Sequence, residues 1–134
     1  MVILFDRFNP PPSIYHYIFV TDQQIIVAKE LIQYLAQNEG EITKTEMSFF
    51  ATKLHDGEYS TIMRDGPYKG KKVKLSYNKR QFYDRILTPM KSMGLIRYDL
   101  YKKTYHLSGD FSKELMKIGV MWKDRLQKEG FVLD

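Results

Sequence analysis

Two Thr-x-x-Gln/Glu boxes near the start of the chain do most to limit what it can fold into. In Thr21-Asp22-Gln23-Gln24 and Thr43-Lys44-Thr45-Glu46, the threonine hydroxyl can accept a backbone N–H of a first helical turn. The Gln or Glu three residues on can reach back to the threonine's own N–H. Apolar residues at helical spacing follow each box. Ile25, Ala28, Leu31, Ile32 and Leu35 follow the first, and Asn38 to Gly40 ends that helix. Met47, Phe50, Ala51 and Leu54 follow the second at i, i+3, i+4 and i+7. The opening half of the chain is therefore committed to two short amphipathic helices that need each other's apolar faces.

The second half reads differently. Residues 55–76 form a long connection containing Gly57, Gly66, Pro67 and Gly70, and its end, Lys69-Gly70-Lys71-Lys72-Val73-Lys74-Leu75, is a short strand or a loop. A third helix, 77–93, is expected from an N-cap at Ser76 or Asn78, with Phe82, Ile86, Met90 and Met93 along one side. Pro89 should kink it or restart it at Thr88. Leu95 to Tyr98 and Thr104 to Leu107 read as a β-hairpin, and Asp110 to Lys128 as a last helix with Phe111, Leu115, Ile118, Trp122 and Leu126 along one stripe. That stripe suits packing on the first helix or a dimer seam. Ahead of the first box, Pro10-Pro11-Pro12 sets off an apolar stretch, Ile14 to Val20, which fits a buried strand, an extended arm or a dimer contact.

The turn Met90-Lys91-Ser92-Met93-Gly94-Leu95-Ile96 leads straight into the hairpin. This resembles the winged helix-turn-helix superfamily, in which a helix ends in a Gly-Leu-Ile corner and passes into the wing. The resemblance covers residues 21–108. It implies a mainly α fold with a small β-hairpin (α+β): one domain with an N-terminal arm, 1–20, a core, 21–108, and a C-terminal helix, 109–134. The long 55–76 link departs from the few-residue turn usual before the third helix.

Charge is unevenly distributed. Residues 69–103 hold 11 Lys/Arg against two acids, a net +9, whereas the rest holds 10 basic and 14 acidic residues, a net −4. Such segregation points to a positive face meeting a polyanion. On a helical wheel, Tyr77, Gln81, Arg85 and Thr88 face away from the apolar stripe, with Arg80 on the flank, and Arg, Gln and Thr can read base edges. Asp84 shares that side and would be repelled by phosphate unless it pairs with Arg80 or accepts from cytosine. The resembled wing would bring Arg97, Tyr101, Lys102 and Lys103 to phosphates. Lys71, Lys72 and Lys74 would join them from just before the helix. The same residues also suit a plain solvated face and a hairpin tip guarded against aggregation.

Other chemistries lack their residues. The chain has no cysteine, so a disulfide framework, a cysteine zinc site and a thiol nucleophile are excluded. His16, His55 and His106 stand apart without metal-ligand spacing, and Gly66-Pro67-Tyr68-Lys69-Gly70-Lys71-Lys72 has the wrong spacing for a phosphate loop. No signal-peptide pattern follows the short run Val2 to Phe5 and no stretch is long enough to span a bilayer, so an intracellular, cytoplasmic setting is expected. The expectation is a non-enzymatic, cofactor-free protein binding double-stranded DNA, a dimeric transcriptional regulator. A replication or plasmid partition factor would carry the same features. A protein-interaction winged helix within a larger assembly would not need the +9 segment.

Overall fold

The computed structural model describes residues 5–64 and 66–132 and is a mixed α+β protein. Of the opening apolar run, Val2 to Leu4 lie outside the described residues. Helices α1 (Ile14–Ile18) and α2 (Asp22–Gln37) lead into strand β1 (Glu41–Thr43) and helix α3 (Lys44–His55). Strands β2 (Tyr59–Ile62) and β3 (Lys72–Leu75) follow. Residues 79–92 then wind as one helix, α4, ahead of β4 (Ile96–Asp99), β5 (Thr104–Leu107) and α5 (Asp110–Lys128).

Both capping boxes form. Gln24 N donates to Thr21 Oγ1 at 3.1 Å and Glu46 N to Thr43 Oγ1 at 3.0 Å, and each reciprocal side-chain bond is present. The apolar stripes they launch meet in one core. Ala28, Leu31 and Leu35 of α2, Met47, Ala51 and Leu54 of α3, and Phe82, Ile86 and Met90 of α4 are all buried. A three-stranded antiparallel sheet, ordered β1-β5-β4, closes one side with Ile42, Ile96 and Tyr105. Ile42 stands opposite Tyr105, which also faces Tyr98.

Two regions differ from the sequence expectation, and in a third one of two readings falls away. Ile14–Ile18 is a helical turn rather than a strand or extended arm: Phe19 N–H closes it on the Tyr15 carbonyl, and the Phe19 side chain enters the core. The long connection is a second hairpin, β2–β3, in which Tyr59 opposes Leu75 and Thr61 opposes Val73. It is pinned to α2 by Glu30, a carboxylate only 8% exposed that accepts from Tyr59 Oη at 3.0 Å and Thr61 Oγ1 at 3.1 Å. Burial, then the Glu30 charge, push the Tyr59 phenol well above its ordinary range, so its proton stays available to that bond. The third is α5: none of its residues is buried, so of the two readings of its stripe, packing along α2 as core is ruled out.

Gly94 sets the direction in which α5 leaves. It ends α4 at φ +84°, with Leu95 N–H bonded to the Met90 carbonyl at 2.9 Å. Its own carbonyl accepts from Phe111 N at 3.0 Å. A Cβ at this position would lie 2.9 Å from both Phe111 N and Asp110 Cβ. Gly70, at φ +80°, has nothing within 4 Å of such a Cβ. Gly70→Ala should therefore cost only left-handed strain, about 1–2 kcal/mol, whereas Gly94→Ala should cost at least about 1 kcal/mol more, since overpacking adds to strain. Urea unfolding of the two variants compares them, and equal losses would show that the α4–α5 corner tolerates a methyl group.

Candidate nucleic-acid interface

Helix α4 begins where two side chains fix it. Asn78 Oδ1 accepts from Gln81 N at 3.0 Å, and His55 Nδ1, at the end of α3, accepts from Lys79 N at 3.1 Å. His55 thus caps the following helix as well as ending its own. The expected restart at Thr88 takes the form of a change of winding: α-helical turns resume there, over Thr88–Ser92, with no gap in the helix. Phe82–Leu87 is wound as a π-helix, and Thr88 N–H reaches the Tyr83 carbonyl five residues back. Proline lacks an N–H, and its ring collides with the carbonyl four residues earlier in a regular helix. The wider turn before Pro89 relieves that collision, and the helix runs on through Ser92.

With Phe82, Ile86, Leu87 and Met90 buried, Arg80, Gln81, Asp84, Arg85 and Thr88 form the exposed side of α4. Arg80 Nε lies 3.7 Å from Asp84 Oδ2, a loose ion pair between well-exposed side chains. It screens the Asp84 charge and leaves most of the Arg80 donors open. Tyr77 does not belong to this side. It precedes the helix, its N–H bonds to the Leu54 carbonyl at 2.9 Å, and its ring is buried. A wheel position had no meaning for a residue outside the helix.

Lys79 turns towards α3. Its Nζ bonds to Thr52 Oγ1 at 2.9 Å and lies 3.4 Å from Ser48 Oγ. Together with Lys44, Thr45 and the exposed Phe49 ring, Ser48 and Thr52 line a shallow depression on α3. This hydroxyl-rich shelf was missed in the sequence, although Thr45, Ser48 and Thr52 recur at helical spacing opposite Met47, Phe50 and Leu54.

The β4–β5 tip meets the same region. Asp99 Oδ1 accepts from Tyr101 N at 2.9 Å and Lys102 N at 3.0 Å, and these backbone bonds, Lys102 first, hold the carboxyl below its ordinary range. Lys103 adopts a left-handed φ of +54°, and its carbonyl accepts from Lys44 N, the first residue of α3, at 2.9 Å. The tip is therefore tied down at both sides while Tyr101, Lys102 and Lys103 stay exposed, the tyrosine almost completely.

Arg97 is committed elsewhere. Its Nη2 sits 2.7 Å from Asp110 Oδ2 and its Nε 3.2 Å from the same oxygen, so this side chain joins β4 to the start of α5 instead of reaching along the tip. Lys71, Lys72 and Lys74 are exposed but belong to the β2–β3 hairpin. Lys72 and Lys74 lie opposite Ile62 and Ser60 on its outward face, away from the Glu30 anchor.

Among the described residues, no group of three or more His, Cys, Asp or Glu could hold a metal ion, and no helix is long and apolar enough to cross a membrane. No family model, curated protein or solved structure matches this chain.

The Arg97–Asp110 pair has a pH signature. The Arg97 hydrogen bonds, then that of Ser108, hold the Asp110 carboxyl below its ordinary range. A depressed carboxylate stabilises the fold fully above its unfolded value of about 3.9, and that contribution disappears as pH falls through the folded value. Asp110→Asn should therefore lower the urea midpoint at pH 7, and the gap from wild type should close towards pH 2. A gap independent of pH would show that the ionised carboxylate is not its source.

Proposed function

We propose that this chain is a winged helix-turn-helix protein that binds double-stranded DNA and acts on transcription, with no catalytic centre of its own. Helix α4 enters the major groove, the β4–β5 hairpin is the wing, and the α3 shelf lies against the phosphate backbone. The observation that carries the reading is the exposed side of α4. Arg80, Gln81, Arg85 and Thr88 sit together over a fully buried rear face, and these side chains suit guanine, adenine and the thymine methyl group. The order of α2, β1, α3, α4, β4 and β5, with β1 joining the hairpin through β5, fits the same reading.

The division of labour follows from chemistry. Arg85 and Gln81 specify, because bidentate donors distinguish base edges, while Lys102 and Lys103 position the protein by neutralising phosphates. Ser48 and Thr52 offer hydroxyl donors to phosphate oxygens beside the Lys79 charge.

Two titrations test this. With a duplex selected from a random pool, Gln81→Ala and Arg85→Ala should each reduce discrimination against random DNA by about 1–3 kcal/mol while leaving random-duplex affinity nearly unchanged. Equal losses on both duplexes would mean that α4 does not read bases. The double variant Lys102→Ala/Lys103→Ala should weaken every duplex alike and reduce the slope of log affinity against log salt by roughly 2. An unchanged slope would take the wing out of the interface, and no retention of duplex by wild type at low salt would remove the DNA reading.

A further inference from the structure

The last helix carries an apolar face that the protomer does not cover. No residue of α5 is buried, and Leu115, Ile118 and Trp122 are 38%, 47% and 64% exposed. Their spacing continues that of Phe111: steps of four, three and four residues, the rhythm of a coiled-coil seam. The first turn is held to the domain by the Gly94–Phe111 hydrogen bond and the Arg97–Asp110 pair, so α5 starts from a fixed corner.

We propose that α5 pairs with α5 of a second copy in antiparallel orientation, about a two-fold axis near Val120. The occupant is argued from the seam itself. In a parallel pair Trp122 would face Trp122 and, with the heptad step of three that follows, Arg125 would face Arg125 with Leu126 beside the seam, bringing two cations together. Antiparallel pairing about residue 120 instead stacks Ile118 on Trp122 of the other copy, twice by symmetry. It sets the Arg125 stem over Leu115, with the guanidinium free to reach water. On one flank Glu114 comes beside Lys128 of the other copy, again twice. Met121 meets its own mate close to the axis. On the other flank Gly119 meets Gly119, and nothing lies within 4 Å of the Cβ it lacks, so the backbones can approach closely there. The Glu114–Lys117 and Arg125–Glu129 pairs now on α5 are exposed and exchange partners at little cost.

This geometry also fixes the separation of the two domains. Asp110 lies ten residues from the axis, so the two copies of Asp110 are twenty residues apart along the pair, about 30 Å at 1.5 Å per residue. That is close to one turn of duplex, about 34 Å. The link to half-site spacing rests on the DNA-binding reading, whereas the dimer does not.

The chain has no cysteine, so single cysteines report cleanly. Glu114 and Met121 occupy the same lateral position, one heptad apart. Antiparallel pairing brings Met121 next to its mate but leaves the two copies of Glu114 about 18 Å apart along the axis. Met121→Cys should thus form interchain disulfide under mild oxidation at least tenfold faster than Glu114→Cys, and the wild-type chain should sediment as a dimer at micromolar concentration. Ile118→Asp should sediment as a monomer with unchanged circular dichroism. A monomeric wild type at 100 µM, equal cross-linking of the two cysteine variants, or an Ile118→Asp protein that stays dimeric would each overturn the proposal. An unfolded Ile118→Asp protein would do so too, by placing the stripe in the protomer's own core. A dimer that passes these tests but retains no duplex leaves the pairing standing and removes the DNA reading, and a monomer that reads DNA does the reverse.

Discussion

The Phe50 ring is the point on which the arrangement of helices depends. It is 2% exposed and lies 5.4 Å from Tyr34 of α2, 5.1 Å from Tyr59 of β2 and 5.6 Å from Phe82 of α4, centroid to centroid. Four elements are thereby referred to one side chain. Edge-on and tilted aromatic pairs of this kind add to the burial of the rings themselves. With Phe82 held against Phe50, the rotation of α4 about its axis is settled, and Gln81 and Arg85 have nowhere to face but outward. The exposed side of α4 is a consequence of packing at its back.

Charge in the basic segment is divided between holding the protein together and facing solvent. Lys79 bonds to the α3 hydroxyls, Lys91 lies 5.6 and 5.8 Å from the centroids of Tyr98 and Tyr105, and Arg97 is held by Asp110. Each joins two elements. Arg80, Arg85, Lys102 and Lys103 carry their charge outward from the same framework. A net +9 over 69–103 therefore overstates the charge open to a partner at this face, since three cations are engaged in contacts within the chain and the hairpin lysines project separately.

The two capping boxes and their stripes were legible because their signals are local: a cap, a period and a stop within one segment. The same holds for the Gly94 corner and the β4–β5 hairpin. What was not legible depends on partners distant in sequence. Tyr59 and Thr61 sit at alternate positions, but only Glu30, some thirty residues earlier, makes Tyr59–Ile62 a strand with a covered face. Tyr77 looked like a surface residue until the Leu54 carbonyl claimed its N–H. Strand β1 has only three residues, too few for any alternation to register, and exists because β5 lies beside it. At the candidate interface the α4 side chains were readable from the wheel. The α3 shelf and the diversion of Arg97 required the tertiary contacts.

That three-residue strand also imposes an order in time. Glu41 pairs with His106 and Thr43 with Thr104, so the sheet joins two stretches separated by some sixty residues of chain. Pairings so far apart close late, after local helices have formed and restricted the search. During synthesis, α2, α3 and their shared aromatic cluster can assemble while β1 waits as an unpaired segment. The β4–β5 hairpin completes the sheet only when nearly the whole domain has left the ribosome, and a nascent chain stopped short of residue 104 has α1 to α4 but no place to fasten β1.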